Sequence, residues 1–163
     1  MRILDEKTGM LNDERMLSVS KTINATPHNV YRAWTEPELL KRWFAPRPFI
    51  TSEAELDLCP GGSFKIIMRD PRGKVFVTPG VFLEVVPDKR IVFTDAYRRA
   101  WIPSEKPFMT VVVSLAEDGG KTQYNAYVYH WNIEDRKSHE NMGFDDGWTI
   151  ASRQLAEVAE SLK

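Results

Sequence analysis

Three histidines and one cysteine are the side chains of this chain that would first be asked to do covalent or proton-transfer work, and their spacing is sparse. His130 closes a β-rich run and is the histidine an interior would hold. It reads first as a hydrogen-bonded structural residue and second as a general base, because only its titration range speaks for catalysis. Glu55 and Asp57 stand two apart and share one side of a strand, as an acid–base pair would. Asp57 just ahead of Pro60-Gly61-Gly62 suits turn stabilisation better. Cys59 has no histidine near it in sequence and reads as a small buried thiol. His28 reads as a helix-surface residue and His139 as a loop residue. Cys-x-x-Cys and His-Glu-x-x-His spacings are absent, so neither a metal nor another cofactor is expected. Gly61-Gly62 and Gly119-Gly120 are turns rather than phosphate cradles, since neither opens a helix. Arg98 and Arg99 flank a long loop; they offer a carboxylate or phosphate contact, but a solvated pair is the simpler reading. No residue is assigned a catalytic role.

With chemistry thin, the elements carry the argument. The 163 residues, 42% hydrophobic and 28% charged with five Trp, five Tyr and eight Phe, suit one domain with a real core. A formal net charge of −1 removes a whole-chain electrostatic case for nucleic acid, and aromatics do not interleave with a basic stripe. A lone cysteine excludes an internal disulfide and points to a reducing cytoplasm. No apolar run reaches membrane-helix length, so stable membrane association is not expected. Residues 1–15 read as a loose N-terminal extension and 16–163 as a single domain.

Met16 to Asn24 alternates as a strand. Thr26 then caps a short helix with Pro27 in its first turn, and Thr35-Glu36-Pro37-Glu38 repeats the device as a Thr-x-x-Glu capping box. From Phe49 to His130, turn signals at Pro60-Gly61-Gly62, Asp70-Pro71-Arg72-Gly73, Pro87-Asp88-Lys89-Arg90 and Glu117-Asp118-Gly119-Gly120 divide roughly six further strands. Arg98 to Pro107 reads as an irregular surface loop. Asp145 or Asp146 caps a last helix in which Trp148, Ala151, Leu155, Val158 and Leu162 form the buried stripe, with Arg153, Gln154, Glu157 and Glu160 opposite. The order is α+β, with one long amphipathic helix covering a sheet face.

Four motifs carry a family resemblance: the Ala-Thr-Pro-x-x-Val-Tyr-x-Ala-Trp-Thr-x-Pro-Glu-x-Leu-x-x-Trp-Phe pattern from Ala25 to Phe44, Glu55 to Phe64 with its Pro60-Gly61-Gly62 turn, Gly80 to Pro87 followed by Arg90 to Thr94, and Gly147-Trp148. In order they span Ile23 to Leu162. They resemble START-like (SRPBCC, helix-grip) domains, in the branch homologous to the activator of a heat-shock chaperone ATPase and grouped with polyketide cyclases. Cys59 stands where that branch usually has Arg. The resemblance implies a helix-grip (START/Bet v-like) fold, an antiparallel sheet of about six to seven strands wrapped around a long C-terminal helix, with two short helices after the first strand. It further implies an apolar cavity between sheet and helix that takes lipids, polyketides or other apolar molecules; only some members are enzymes.

Period-two alternation then names candidate lining residues. Met109, Val111 and Val113 point inward from one strand, Tyr124, Ala126, Val128 and His130 from the next, and Phe64, Ile66 and Met68 from a third. Trp34, Trp43, Tyr97, Trp101, Met142, Phe144 and Trp148 are expected to converge at the open end, with Ala151 and Leu155 facing them from the helix. The expected partner is a hydrophobic or amphipathic small molecule. A cyclase, dehydratase or hydrolase would need polar groups such as His130 with Tyr97 or Glu55 to meet inside the cavity. A chaperone partner is suggested by the branch name alone, and a homodimer stays open.

Overall fold

The computed structural model describes residues 14–162. The expected extension at 1–15 therefore lies almost wholly outside the described residues, except that Glu14 and Arg15 form a turn leading into the first strand.

The chain starts as β1 (Met16–Ile23) and turns into α1 (Pro27–Thr35), where the Thr26 hydroxyl accepts from Asn29 N at 3.2 Å and Pro27 needs no amide hydrogen. The expected second capping box does not form. Thr35 is the last residue of α1 and donates its hydroxyl to Tyr31 O at 2.8 Å, so α2 (Pro37–Leu40) starts at Glu36 without a side-chain cap. The sheet follows as β2 (Ile50–Leu56), β3 (Phe64–Arg69), β4 (Val75–Thr78), β5 (Val81–Val86) and β6 (Arg90–Thr94). The expected loop at 98–107 instead holds a small hairpin, β7 (Tyr97–Arg99) and β8 (Ile102–Pro103), turned by Trp101 at φ 58°. β9 (Met109–Asp118) and β10 (Lys121–His130) form the longest hairpin; its turn residues Gly119 and Gly120 both have positive φ.

Five strands pair antiparallel in the order β1-β10-β9-β6-β5, and three more as β2-β3-β4. The two groups are one surface. Ser63 bridges Val81 in the same register in which Ile66 pairs with Thr78. Phe64 N also donates to Gly80 O at 3.0 Å, and Phe82 N to Gly62 O at 2.8 Å. β4 and β5 thus behave as one strand broken at Pro79-Gly80, and the sheet runs through seven strand positions, as the sequence suggested. Gly80 is obligatory at the break: a Cβ there would sit 2.6 Å from Thr94 O and 3.2 Å from Phe64 O.

Two helices close the chain. α3 (Ile133–Asn141), which the sequence reading missed, is capped by the Asn132 side chain accepting from Asp135 N at 2.7 Å. It buries no residue on an apolar stripe, so no hydrophobic period announced it. α4 (Phe144–Ser161) has its cap at Gly143, two or three residues ahead of the expected ones. Gly143 at φ 93° makes the corner, and Asp145 and Asp146 lie in the first turn, where their charge suits the helix dipole. Leu155, Ala156, Val158 and Ala159 of α4 pack with Ile23, Phe64, Ile91, Val111, Val113, Ala126 and Val128 in one core cluster. Among the described residues no helix is long and apolar enough to cross a membrane.

Candidate functional site

Between the sheet and the N-terminal half of α4 lies a cavity of about 710 Å³. Its floor is aromatic. Trp34 of α1 meets Trp43 edge to face at 4.7 Å, Phe44 lies 6.1 Å from Trp34 and 6.0 Å from Phe64, and Phe64 stacks on Phe93 at 4.0 Å. Met68 of β3, Met109 of β9 and Tyr124 of β10 face it from the sheet, and Phe144, Trp148, Ala151 and Ser152 from α4. Phe144 and Trp148 stack at 5.2 Å because they are one helical turn apart. The rim is formed by Phe49, Val75, Phe76, Val77 and Met142, all among the exposed large hydrophobics.

Ten of the expected lining residues thus reach this wall: Trp34, Trp43, Phe64, Met68, Met109, Tyr124, Met142, Phe144, Trp148 and Ala151. Ile66, Val111, Val113, Ala126, Val128 and Leu155 point inward as the alternation requires but are fully buried in the core, away from the cavity. A period of two reports which face is covered; it does not report whether protein or open space covers it. Tyr97 and Trp101 are elsewhere. They pack on each other at 5.4 Å on the β7–β8 hairpin, where Trp101 is exposed and lies against Gly61. Phe44, Pro46, Phe49, Phe93 and β4 were not foreseen as wall. Phe44 closes the Trp-Phe end of the Ala25 to Phe44 motif, which is its signal in the sequence.

The titratable residues also sort differently from expectation. Cys59 is exposed rather than buried, since the turn at 57–62 is held by backbone bonds such as Cys59 N to Asp57 O at 2.8 Å and carries its side chain outward. Glu55 and Asp57 are exposed and do not meet His130 or Tyr97. Arg98 and Arg99 are exposed, and His28 pairs with Asp88 on the surface at 2.9 Å.

His130 is buried as the end of β10, but behind the wall. Its Nδ1 lies 2.8 Å from Arg15 O and its Nε2 2.9 Å from Nδ1 of His139, which places His139, not His130, on the cavity. The corner at Gly143 folds α3 back toward β10 and turns this supposed loop residue inward. Burial, and secondly the neighbouring His130, hold His139 down to about 4, so it is neutral near pH 7. Phe108 packs against both imidazoles, at 5.4 and 5.0 Å.

Two further polar groups face the floor. The Tyr124 hydroxyl is pushed well above its ordinary value by burial and stays protonated. The Trp34 indole lies beside it, near enough to ease that shift, yet Trp34 Nε1 makes no well-aligned hydrogen bond and is a buried donor without a partner among the described residues.

Gln154 holds the wall together, against the expectation that it faces solvent. It is 4% exposed; its Nε2 donates to Trp43 O and Ala45 O, each at 2.8 Å, and its Oε1 accepts from Arg47 N at 3.0 Å. The 43–47 segment carrying Trp43, Phe44 and Pro46 is thereby fastened to α4. Among the described residues no group of three or more His, Cys, Asp or Glu is placed to hold a metal.

The family profile of the activator of Hsp90 ATPase homolog 1-like proteins matches residues 24–160. The chain belongs to that family. A crystal structure of a protein from Nitrosomonas europaea is 38% identical and superposes with a TM-score of 0.88, covering 91% of this chain and 96% of the other. A Rhodobacter sphaeroides protein shares 20% identity at a TM-score of 0.80, covering 93% and 96%. An AHSA1-like protein from Aeromonas hydrophila shares 22% at 0.68, covering 89% and 93%; these last two speak for the fold alone. No curated protein matches the sequence. Family membership agrees with the helix-grip reading of four short motifs.

Proposed function

We propose that the protein binds a hydrophobic or amphipathic small molecule in the space between its sheet and α4. The supporting observation is a cavity of about 710 Å³ walled by tryptophan, phenylalanine and methionine. Pockets that take drug-sized or lipid-like molecules span roughly 300–1,000 Å³ and are apolar with few polar groups. Water alone is a poor tenant of such walls, which offer it few partners. Met68, Met109 and Met142 on the wall suit a permissive fit, because unbranched thioethers adapt to varied shapes.

An enzyme of this fold would need polar groups converging on one reacting atom. His130, Tyr97 and Glu55 do not converge in the cavity, so they form no catalytic set there. A docking role on a chaperone ATPase, which the family description brings to mind, draws support from the exposed apolar residues Ile50, Val75, Val77 and Met142.

Native mass spectrometry of gently purified protein, with denaturing extraction of whatever is bound, tests the reading. A stoichiometric apolar passenger, or saturable one-to-one binding of an apolar fluorescent dye to the empty protein, is the expected result. Absence of both would sink the reading and shift weight to the docking role.

A further inference from the structure

We infer that His139 is the polar anchor of the cavity and that the occupant carries a neutral hydroxyl, phenolic or alcoholic, which donates to its Nε2. The inference rests on the binding reading above and names the chemistry of the ligand.

The direction of the hydrogen bonds follows from one fixed point. A backbone carbonyl only accepts, so His130 Nδ1 must donate to Arg15 O. In neutral His130 the other nitrogen is then a bare acceptor, and the bond to His139 is donated by His139 Nδ1. Neutral His139 is left with an unprotonated Nε2. That atom has no partner among the described residues, and His139 is part of the cavity wall. The tautomer of each ring is set by its neighbour, as in relays that orient a metal-bound or catalytic imidazole.

The consequence is a polarity rule. A lone pair on an apolar wall favours a ligand O–H and repels a carboxylate or ketone oxygen. A donor lies at the floor instead, Trp34 Nε1 beside Tyr124, and Tyr124 stands six positions before the His130 that contacts His139. An apolar molecule with a hydroxyl at the His139 end meets the unpaired imidazole nitrogen there. Phe108 and Phe144 pack on the His139 ring, and Trp148 stacks on Phe144, so the nitrogen sits among aromatic rings. The aromatic packing against His139, with Phe144 at 5.0 Å, also fixes the ring plane.

The test uses two probes of matched shape, 2-naphthol and 2-methoxynaphthalene, titrated into wild-type protein and His139→Phe. The preference of wild type for the naphthol over the ether is expected to fall by about three- to tenfold in the variant, the worth of one net hydrogen bond. An unchanged preference overturns the assignment. If neither probe binds the wild type, this assignment falls, while the passenger and dye measurements above decide the binding reading separately. Should the variant fail to fold, ¹⁵N NMR of the wild type decides. An unprotonated His139 Nε2 whose resonance moves with naphthol but not with the ether supports the anchor; a protonated Nε2, or equal response to both, refutes it.

Discussion

Replacing Gln154 with leucine should cost the fold about 3 kcal/mol, more than any other single polar change on α4. The side chain is 4% exposed and makes three hydrogen bonds, two donated at 2.8 Å and one accepted at 3.0 Å, all to backbone groups of 43–47. At a net ~1 kcal/mol each, those bonds sum to ~3 kcal/mol, and leucine of similar reach keeps water from taking over the freed carbonyls of Trp43 and Ala45. For a domain this size the loss lowers the melting temperature by roughly 6–12 °C. Urea unfolding followed by tryptophan fluorescence reads the change as a lower midpoint with unchanged slope. Gln154→Glu should cost more still, because a carboxylate oxygen would face two carbonyl oxygens. Hydrogen exchange supplies the local readout: the Arg47 amide should lose protection in both variants. A loss below about 1 kcal/mol in the leucine variant, with Arg47 still protected, would refute the claim that this glutamine fastens the cavity wall.

Gly80→Ala should destabilise by several kcal/mol, on the order of other severe backbone clashes, because both atoms that its Cβ would strike are backbone oxygens; a midpoint within 0.5 kcal/mol of wild type would show that the strand break relaxes easily. Trp148→Ala should weaken naphthyl probe binding by about tenfold while shifting stability less than a change at fully buried Leu155, since Trp148 is half-buried and faces the cavity; equal effects on stability would make it ordinary core. His139 also gives a pH signature. Its value falls from 6.5 to about 4 on folding, so between these limits the unfolded chain binds the proton and the native state does not, and stability rises with pH across the window. The contribution, present above pH 6.5 and lost as pH falls through about 4, is on the order of 2 kcal/mol after allowance for partial exposure. It should vanish from the difference between wild type and His139→Phe if His139 titrates normally. Asp95, which shares its surroundings with His130 and is itself raised by burial, titrates in both proteins and cancels in that difference.

The sequence by itself determined β1, the two short helices after it, the long meander and the last helix, though neither α3 nor the β7–β8 hairpin, together with the inward faces of β3, β9 and β10, the Thr26 cap and the family, because each is written in local periodicity, in turn chemistry or in short motifs. Tertiary structure decided what those inward faces meet. Val111 and Met109 obey the same alternation, yet one is sealed in the core and the other looks into the cavity, since the difference lies in where α4 and the 43–47 segment stop short of the sheet. Gln154 lies three positions after Ala151 and next to Leu155, on the flank of the buried stripe, and its polar type sent it outward on paper; its partners come from a segment more than a hundred residues away. His130 and His139 changed roles for the same reason. Which imidazole faces the cavity depends on the corner at Gly143 and the return of α3 across β10, a geometry made by packing and carried by no nearby pattern of residues.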